Sequence, residues 1–452
     1  MDGFLPTFTR RKLLPPTYRE STWGKPVSRA GEPERVIIPL QDSPGTVYQV
    51  AVKEGEDVTA GQKIGVMGEA PACLSVHASI SGTVEQIAAL PHPLGFQALS
   101  LSLASNGKNE TCGCSPLSAG DHAGNGRQVL EGLQEMGIPL SYRHLLANNS
   151  KVSCLLINAT EFEPYITSRH VLLKEHGNEV AAGLKVLVDA CSAQQAVIVI
   201  ENTHTALVEP LKRAGQGAVD ITVRGVSQPY PDTAAWLLHE KFSPLKANSK
   251  HGSGHGLMMS VDLSSLFAIN NAWVAGLPFT EQLLTIAGSA VRDPQNVWVR
   301  TGTPLSHILT HAGGDLSRVG RVALGGPLMG IPQHTLAVPL IKKTKGLFAA
   351  VAFLVDEHRE SRFYKQAPCV KCAKCVDVCP ASLVPNSIAD CVTNKLLNDA
   401  QESGLFHCLE CGLCEYSCPS RIPLLEIMRL GKVLLKGEDC LLGRNVLGAL
   451  EG

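Results

Sequence analysis

Cys369-Val-Lys-Cys372-Ala-Lys-Cys375-Val-Asp-Val-Cys379-Pro380 is followed by Cys408-Leu-Glu-Cys411-Gly-Leu-Cys414-Glu-Tyr-Ser-Cys418-Pro419. Both runs read Cys-x2-Cys-x2-Cys-x3-Cys-Pro, and together they use eight of the chain's 15 cysteines. In a reducing compartment such regular spacing points to metal rather than to disulfides. Three thiolates on a tight loop can each take one iron of a cubane, while the fourth, displaced by three residues and followed by proline, points away. Tetrahedral zinc is usually held by paired Cys-x2-4-Cys units instead of a triple run, so iron–sulfur is the reading. The 28 residues between Cys379 and Cys408 read as helical, with Ile388, Cys391, Val392, Leu396 and Leu397 on one apolar face and Cys391 as packing. Leu424 to Lys436 alternates apolar and basic residues at helical spacing and reads as a helix covering the cysteine runs.

Working outward, 452 residues are too many for one core and suggest roughly three folding units. A hydrophobic share of 44% against 18% charged residues is that of a globular chain. Forty basic and 41 acidic residues give a net charge of −1, which argues against a general nucleic-acid binder. The longest apolar stretch, Leu347 to Val355, has nine residues where a bilayer needs ~20. Arg10-Arg11-Lys12 runs into Leu13-Leu14-Pro15-Pro16 with no apolar h-region behind it. The expectation is a cytoplasmic chain with no transmembrane segment of its own.

Four modules precede or contain the cysteines. Residues 1–102 read as short strands, with Val52 to Ile64 and Val76-His-Ala-Ser-Ile-Ser-Gly-Thr-Val84 similar to the barrel-sandwich of biotinyl and lipoyl carriers. Ala78-Ser79-Ile80-Ser81 stands where a carrier needs its lysine, so the module reads as structural. Residues 103–127, rich in Gly, Ser, Asn and Asp, read as a linker or surface loop in which Cys112, Cys114 and His122 have no further local ligand. In 128–280 strands alternate with helices, predicting a largely parallel α/β sheet whose strand ends carry Asn158, Glu161 and Glu163 and then Glu201-Asn202-Thr203-His204. Such clusters are ordinarily helix caps, and two on one edge also suggest a ligand cleft. Residues 281–335 read ββαβ, a β-grasp-like module without catalytic residues, and 360–436 hold the cysteine runs.

The cysteine runs match those of two-cluster bacterial ferredoxins, in which the fourth cysteine of each run ligates the other cluster. That resemblance implies two [4Fe–4S] clusters with crossed ligands: Cys369, Cys372, Cys375 and Cys418 on one, Cys408, Cys411, Cys414 and Cys379 on the other. The order of the modules, with Ile157-Asn-Ala-Thr-Glu-Phe-Glu-Pro-Tyr-Ile166 and Gly325-Gly-Pro-Leu-Met-Gly330, resembles the RnfC family over about residues 12 to 435. RnfC is the C subunit of the Rnf ion-translocating electron-transport complex. The resemblance implies a barrel-sandwich hybrid, an α/β domain like that of the complex I flavin subunit, an SLBB-like β-grasp and a two-cluster ferredoxin-like domain. It also implies FMN and NADH chemistry at a site including Asn158, Glu161 and Glu163, protein electron-transfer partners, and a peripheral place on the inner face of the cytoplasmic membrane.

The sequence departs from that family where a glycine-rich loop should let backbone N–H groups approach flavin and nucleotide. Met136-Gly137-Ile138-Pro139-Leu140-Ser141-Tyr142-Arg143-His144 is shorter and has one glycine. Asp262-Leu263-Ser264-Ser265 stands where the family has an Asn-Val-Gly-Thr flavin contact. Three readings follow: an iron–sulfur electron-transfer adaptor whose partner supplies the flavin, an FMN-dependent NADH-oxidising Rnf-type subunit, and a protein resembling cobalamin reductase or the electron-transfer protein of proline reductase. The first fits the lost loop best.

Overall fold

The computed structural model describes residues 13–436 apart from 44, 47, 70–72, 109, 120–124, 148–151, 216–218, 228–229, 232–237, 239–257, 343 and 352–365. Arg10-Arg11-Lys12 and His122 therefore lie outside the described residues, as does the end of the Leu347 to Val355 stretch.

The first module is built from β1 (Ser28–Arg29), β2 (Arg35–Pro39), β3 (Tyr48–Val50), β4 (Asp57–Val58), β5 (Lys63–Met67), β6 (Leu74–His77), β7 (Gly82–Pro91) and β8 (Gln97–Ser105). Two antiparallel sheets, β2-β8-β7-β4 and β3-β5-β6, close on a core that includes Val36, Ile38, Leu40, Ile64, Val76, Ile80, Leu101 and Leu103. The period-2 alternation of these residues is what turns one face of each sheet inward. β1 leaves this module and pairs in parallel with a later strand, Ser28 opposite Val297. The segment expected as a linker or surface loop is exposed at residues 106–108 and 110–113 and tied down at a few points. Residues 103–105 finish β8, Cys112 N–H donates to Ala60 O at 2.7 Å, and Leu117 is buried in the α/β core.

The second module comprises α1 (Gly126–Glu135), α2 (Tyr142–Ala147), β9 (Cys154–Asn158), α3 (Ser168–Cys191), β10 (Gln195–Glu201), α4 (Glu209–Ala214), β11 (Asp220–Val226), β12 (Met258–Asp262) and α5 (Leu263–Ala275). Its sheet is wholly parallel in the order β11-β10-β9-β12. Leu155, Ile157, Ala196, Ile198 and Ile200 face one apolar cluster, and Cys154, Leu156, Val197 and Val199 the other. Burial of both faces explains why these strands read as unbroken apolar runs. Helices α3 and α5 pack so closely that a Cβ on Gly183 would lie 1.8 Å from Leu266 O.

The third module has β13 (Glu281–Ala287), β14 (Gln295–Arg300), α6 (Leu305–His311), β15 (Val319–Leu324), β16 (Ile331–Gln333) and β17 (Gly346–Val351). With β1 they form one six-stranded sheet, β1-β14-β13-β17-β15-β16. The last module contains α7 (Lys374–Asp377), α8 (Pro385–Thr393), α9 (Leu397–Glu402), α10 (Leu413–Tyr416) and α11 (Leu424–Lys436). Ile388 and Val392 are buried and Cys391 packs beside them, but the helical stretch breaks between α8 and α9, leaving Leu396 52% exposed instead of on the apolar face.

Candidate functional site

The two cysteine runs adopt one repeated backbone. Each cysteine of the second run lies 408 − 369 = 39 positions after its counterpart, and the same offset relates α7 to α10 and the starts of α8 and α11. Left-handed residues repeat likewise: Lys371, Ala373 and Ser382 in the first copy, Glu410, Gly412 and Arg421 in the second. These positive-φ positions curl each cysteine loop tightly, a conformation that costs L-residues energy unless something holds it.

The fourth cysteine of each run reaches the other. Cys379 lies close enough to Cys408, Cys411 and Cys414 that its charge opposes ionisation of each, and Cys418 acts in the same way on Cys375. Burial first, then this mutual repulsion, pushes the Cys411 thiol up to about 12 and raises Cys414 and Cys408 as well. Thiols so disfavoured as bare thiolates at Cys408, Cys411 and Cys414 are a donor set suited to a polycationic core, and on that ground they fit an iron–sulfur cluster. The two groups differ in depth. Cys369 and Cys372 are exposed with Val370 and Lys371 around them, whereas Cys411 is buried.

The buried run is clamped from three sides. Lys432 Nζ donates to Cys408 O at 2.8 Å and to Glu410 Oε1 at 2.6 Å, Arg429 bridges Glu410 to Met329 O and Gly330 O, and the Tyr230 hydroxyl donates to Cys411 O. A Cβ on Gly412 would lie 2.5 Å from Leu328 O, so the Gly325 to Gly330 loop sits directly on this run. Glu163 holds that loop in turn, its carboxylate accepting from Leu328 N–H at 3.1 Å and Met329 N–H at 2.6 Å. Gly326 lacks a Cβ where one would meet Glu163 Oε2 at 2.4 Å. Glu163 thus ties the α/β domain to the cysteines through one loop.

Burial lifts the Glu163 carboxyl to about 7, against the pull of the two backbone N–H groups and Arg429. Between the ordinary 4.5 and 7 the folded chain therefore binds more protons here than the unfolded one. Its contribution to stability is full below 4.5 and is lost as pH rises through 7. Glu163→Gln is expected to flatten the decline in urea midpoint over this window. An unchanged slope would exclude Glu163 as its source.

The other sequence-selected residues meet at the C-terminal edge of the parallel sheet. Asn158 lies in register with Asp262 and caps its own turn, Oδ1 accepting from Thr160 N–H and hydroxyl. Glu161 is fully buried, and its Oε1 accepts from the Arg169 and His170 N–H groups at the start of α3. Asp262 caps α5 in the same way, accepting from Ser264 N–H at 2.8 Å. The N-termini of both helices, the usual places for a phosphate, therefore already hold the chain's own carboxylates. Three cations balance three carboxylates. Arg169 lies 3.7 Å from Glu161 and 3.5 Å from Asp262, Lys345 pairs with Asp262, and Arg19 lies 3.4 Å from Glu201. Burial would raise Asp262, but Lys345 and Arg169 outweigh it and hold its carboxyl well below the usual range.

The backbone from Met136 to Tyr142 is likewise engaged. Ile138 N–H donates to Leu133 O, Phe279 N–H to Met136 O, Lys342 Nζ to Gly137 O at 2.8 Å and the Tyr142 hydroxyl to Ile138 O at 2.8 Å. Gly137, at φ +67°, fills the space beside Ser75 O. Among the described residues, the N–H groups of Met136, Gly137, Ile138 and Tyr142 and the N-termini of α3 and α5 are already bonded within the chain, an arrangement that does not fit a flavin phosphate. Sequence reasoning missed Arg19, Arg169, His170 and Lys345. Only Arg169 and His170, close behind the acidic segment, carried a local signal.

Comparison with known proteins matches four family models in order: the RnfC barrel sandwich hybrid domain over residues 9–108, the Nuo51 FMN-binding domain over 127–259, the SLBB domain over 283–332 and the 4Fe-4S dicluster domain over 362–419. The C subunit of the ion-translocating oxidoreductase complex of Serratia proteamaculans (strain 568) is 32% identical over 438 residues, 94% of this chain and 61% of that protein. Its counterpart in Erwinia tasmaniensis is 31% identical over 388 residues, 83% of this chain and 47% of that one. The chain thus spans about half to three fifths of the length of these relatives. A solved NAD+-reducing [NiFe]-hydrogenase covers 75% of this chain and 64% of its own at 16% identity and a TM-score of 0.42, too slight a likeness to carry an argument. Four domains in the expected order, together with relatives that match nearly all of it, place the chain in the RnfC family.

Proposed function

We propose that the chain is a flavin-free iron–sulfur relay of an Rnf-type oxidoreductase complex, docked at the cytoplasmic face of its membrane subunits. The observation that carries this reading is the crossed proximity of the cysteines, Cys379 among Cys408, Cys411 and Cys414, and Cys418 beside Cys375. The ligand sets are then Cys369, Cys372, Cys375 and Cys418 for one [4Fe–4S] cluster and Cys408, Cys411, Cys414 and Cys379 for the other. Bound there, the clusters supply one-electron exchange. The chain's own residues set the route: the exposed loop at Cys369 and Cys372 offers a port to a protein partner, and Lys432, Arg429 and the Gly325 to Gly330 loop shield the second set. No helix of the described residues is long and apolar enough to cross a membrane, which agrees with a docked subunit.

The internally neutralised sheet edge favours this reading over FMN-dependent oxidation of NADH. Anaerobic protein carrying its clusters, mixed with NADH and added FMN, is expected to keep its oxidised cluster absorbance while dithionite bleaches it. Rapid bleaching by NADH that is lost in Glu161→Ala would overturn the flavin-free assignment.

A further inference from the structure

His170, Glu201 and His204 form a compact group outside the cysteine runs. His170 stands in the first turn of α3, Glu201 ends β10, and His204 lies in the 3-10 turn Asn202–Val208 that follows. One potential ligand atom from each lies within 4.8 Å of the other two. We propose that these three side chains bind a zinc ion, a site separate from the iron–sulfur clusters.

The donor set, two imidazoles and one carboxylate, is one that zinc takes with a fourth position left for water. Hard cations such as magnesium and calcium prefer oxygen ligands alone. The groups behind the ligands are already arranged. Glu201 Oε1 accepts from Glu161 N–H at 3.0 Å and lies 3.4 Å from Arg19, which leaves Oε2 facing His170 Nε2 at 2.9 Å. Thr203 Oγ1 lies 2.9 Å from His204 Nδ1, and the Trp23 ring meets both imidazoles edge-on with centroids 5.7 and 5.5 Å away. Such outer partners fix ring and carboxylate orientation in metal sites. A hydrogen bond between His170 and Glu201 would explain those two residues alone. It leaves unexplained why a second imidazole lies against the first, centroids 4.5 Å apart and planes 30° from parallel. Arg19 is the opposing charge, and it lies against Oε1 rather than Oε2. His170 and Glu201 are buried while His204 is partly exposed, so an ion can enter from the His204 side.

The test uses anaerobic protein already carrying its clusters, incubated with zinc, desalted, and assayed for zinc, iron and sulfide in one sample. Wild type should retain about one zinc per chain, with a zinc-edge absorption spectrum of nitrogen and oxygen neighbours. His204→Ala should lose that zinc with iron unchanged, and His204→Gln, closer in size, should do the same. Wild type that retains no zinc, variants that retain as much as wild type, or sulfur neighbours marking zinc in the cysteine runs would each overturn the proposal.

Discussion

Cys379→Ala is expected to remove the cluster of the second run while sparing the one bound by its own. Cys379 stands among Cys408, Cys411 and Cys414, whereas Cys375 has Cys418 for its neighbour. Iron in anaerobic protein should fall from about eight to about four atoms per chain on the [4Fe–4S] stoichiometry. Double variants identify which cluster is lost, because removing two ligands of one centre costs no more iron than removing one. Cys379→Ala with Cys411→Ala should keep about four irons, and Cys379→Ala with Cys369→Ala should keep almost none. The reverse pattern would mean that each run binds its own cluster.

Arg169→Ala is the second large effect, and it falls on folding. Arg169 is 11% exposed, and it faces two carboxylates, Glu161 and Asp262, which are 0% and 2% exposed. Glu161 Oε2 has no hydrogen-bond partner, so the guanidinium is the charge that compensates it. Its guanidinium also lies over the Phe162 ring, Cζ 5.3 Å from the ring centroid. Removing one partner of a buried pair leaves the other charge uncompensated, at a cost of about 3–5 kcal/mol. Denaturant unfolding followed by tryptophan fluorescence should register that loss. A change below about 1 kcal/mol, the scale of an exposed pair, would show the edge to be more open to water than this network implies.

The legible parts of the sequence were those written in local spacing. Cys-x2-Cys-x2-Cys-x3-Cys-Pro needs only a dozen residues to declare itself, and β9 and β10 were legible because they alternate with helices, which predicts the parallel sheet whose two apolar faces are buried. The ion pairs at the sheet edge were not legible. Arg19 and Glu201 are 182 positions apart, Lys345 and Asp262 83, and neither cation sits in a pattern that points to its partner. The same distance hid β1, two residues whose partner strand comes more than 250 positions later. Glu163 was singled out as part of a cleft, and its carboxylate instead faces backbone N–H groups of a loop that no local pattern connects with it.

The central claim is a chain with two clusters and no flavin of its own. Quantifying iron, acid-labile sulfide and released flavin in protein purified without oxygen tests it most directly. The account predicts about eight irons and about eight sulfides per chain, with flavin far below one equivalent even after incubation with FMN. One tightly held FMN per chain would contradict it.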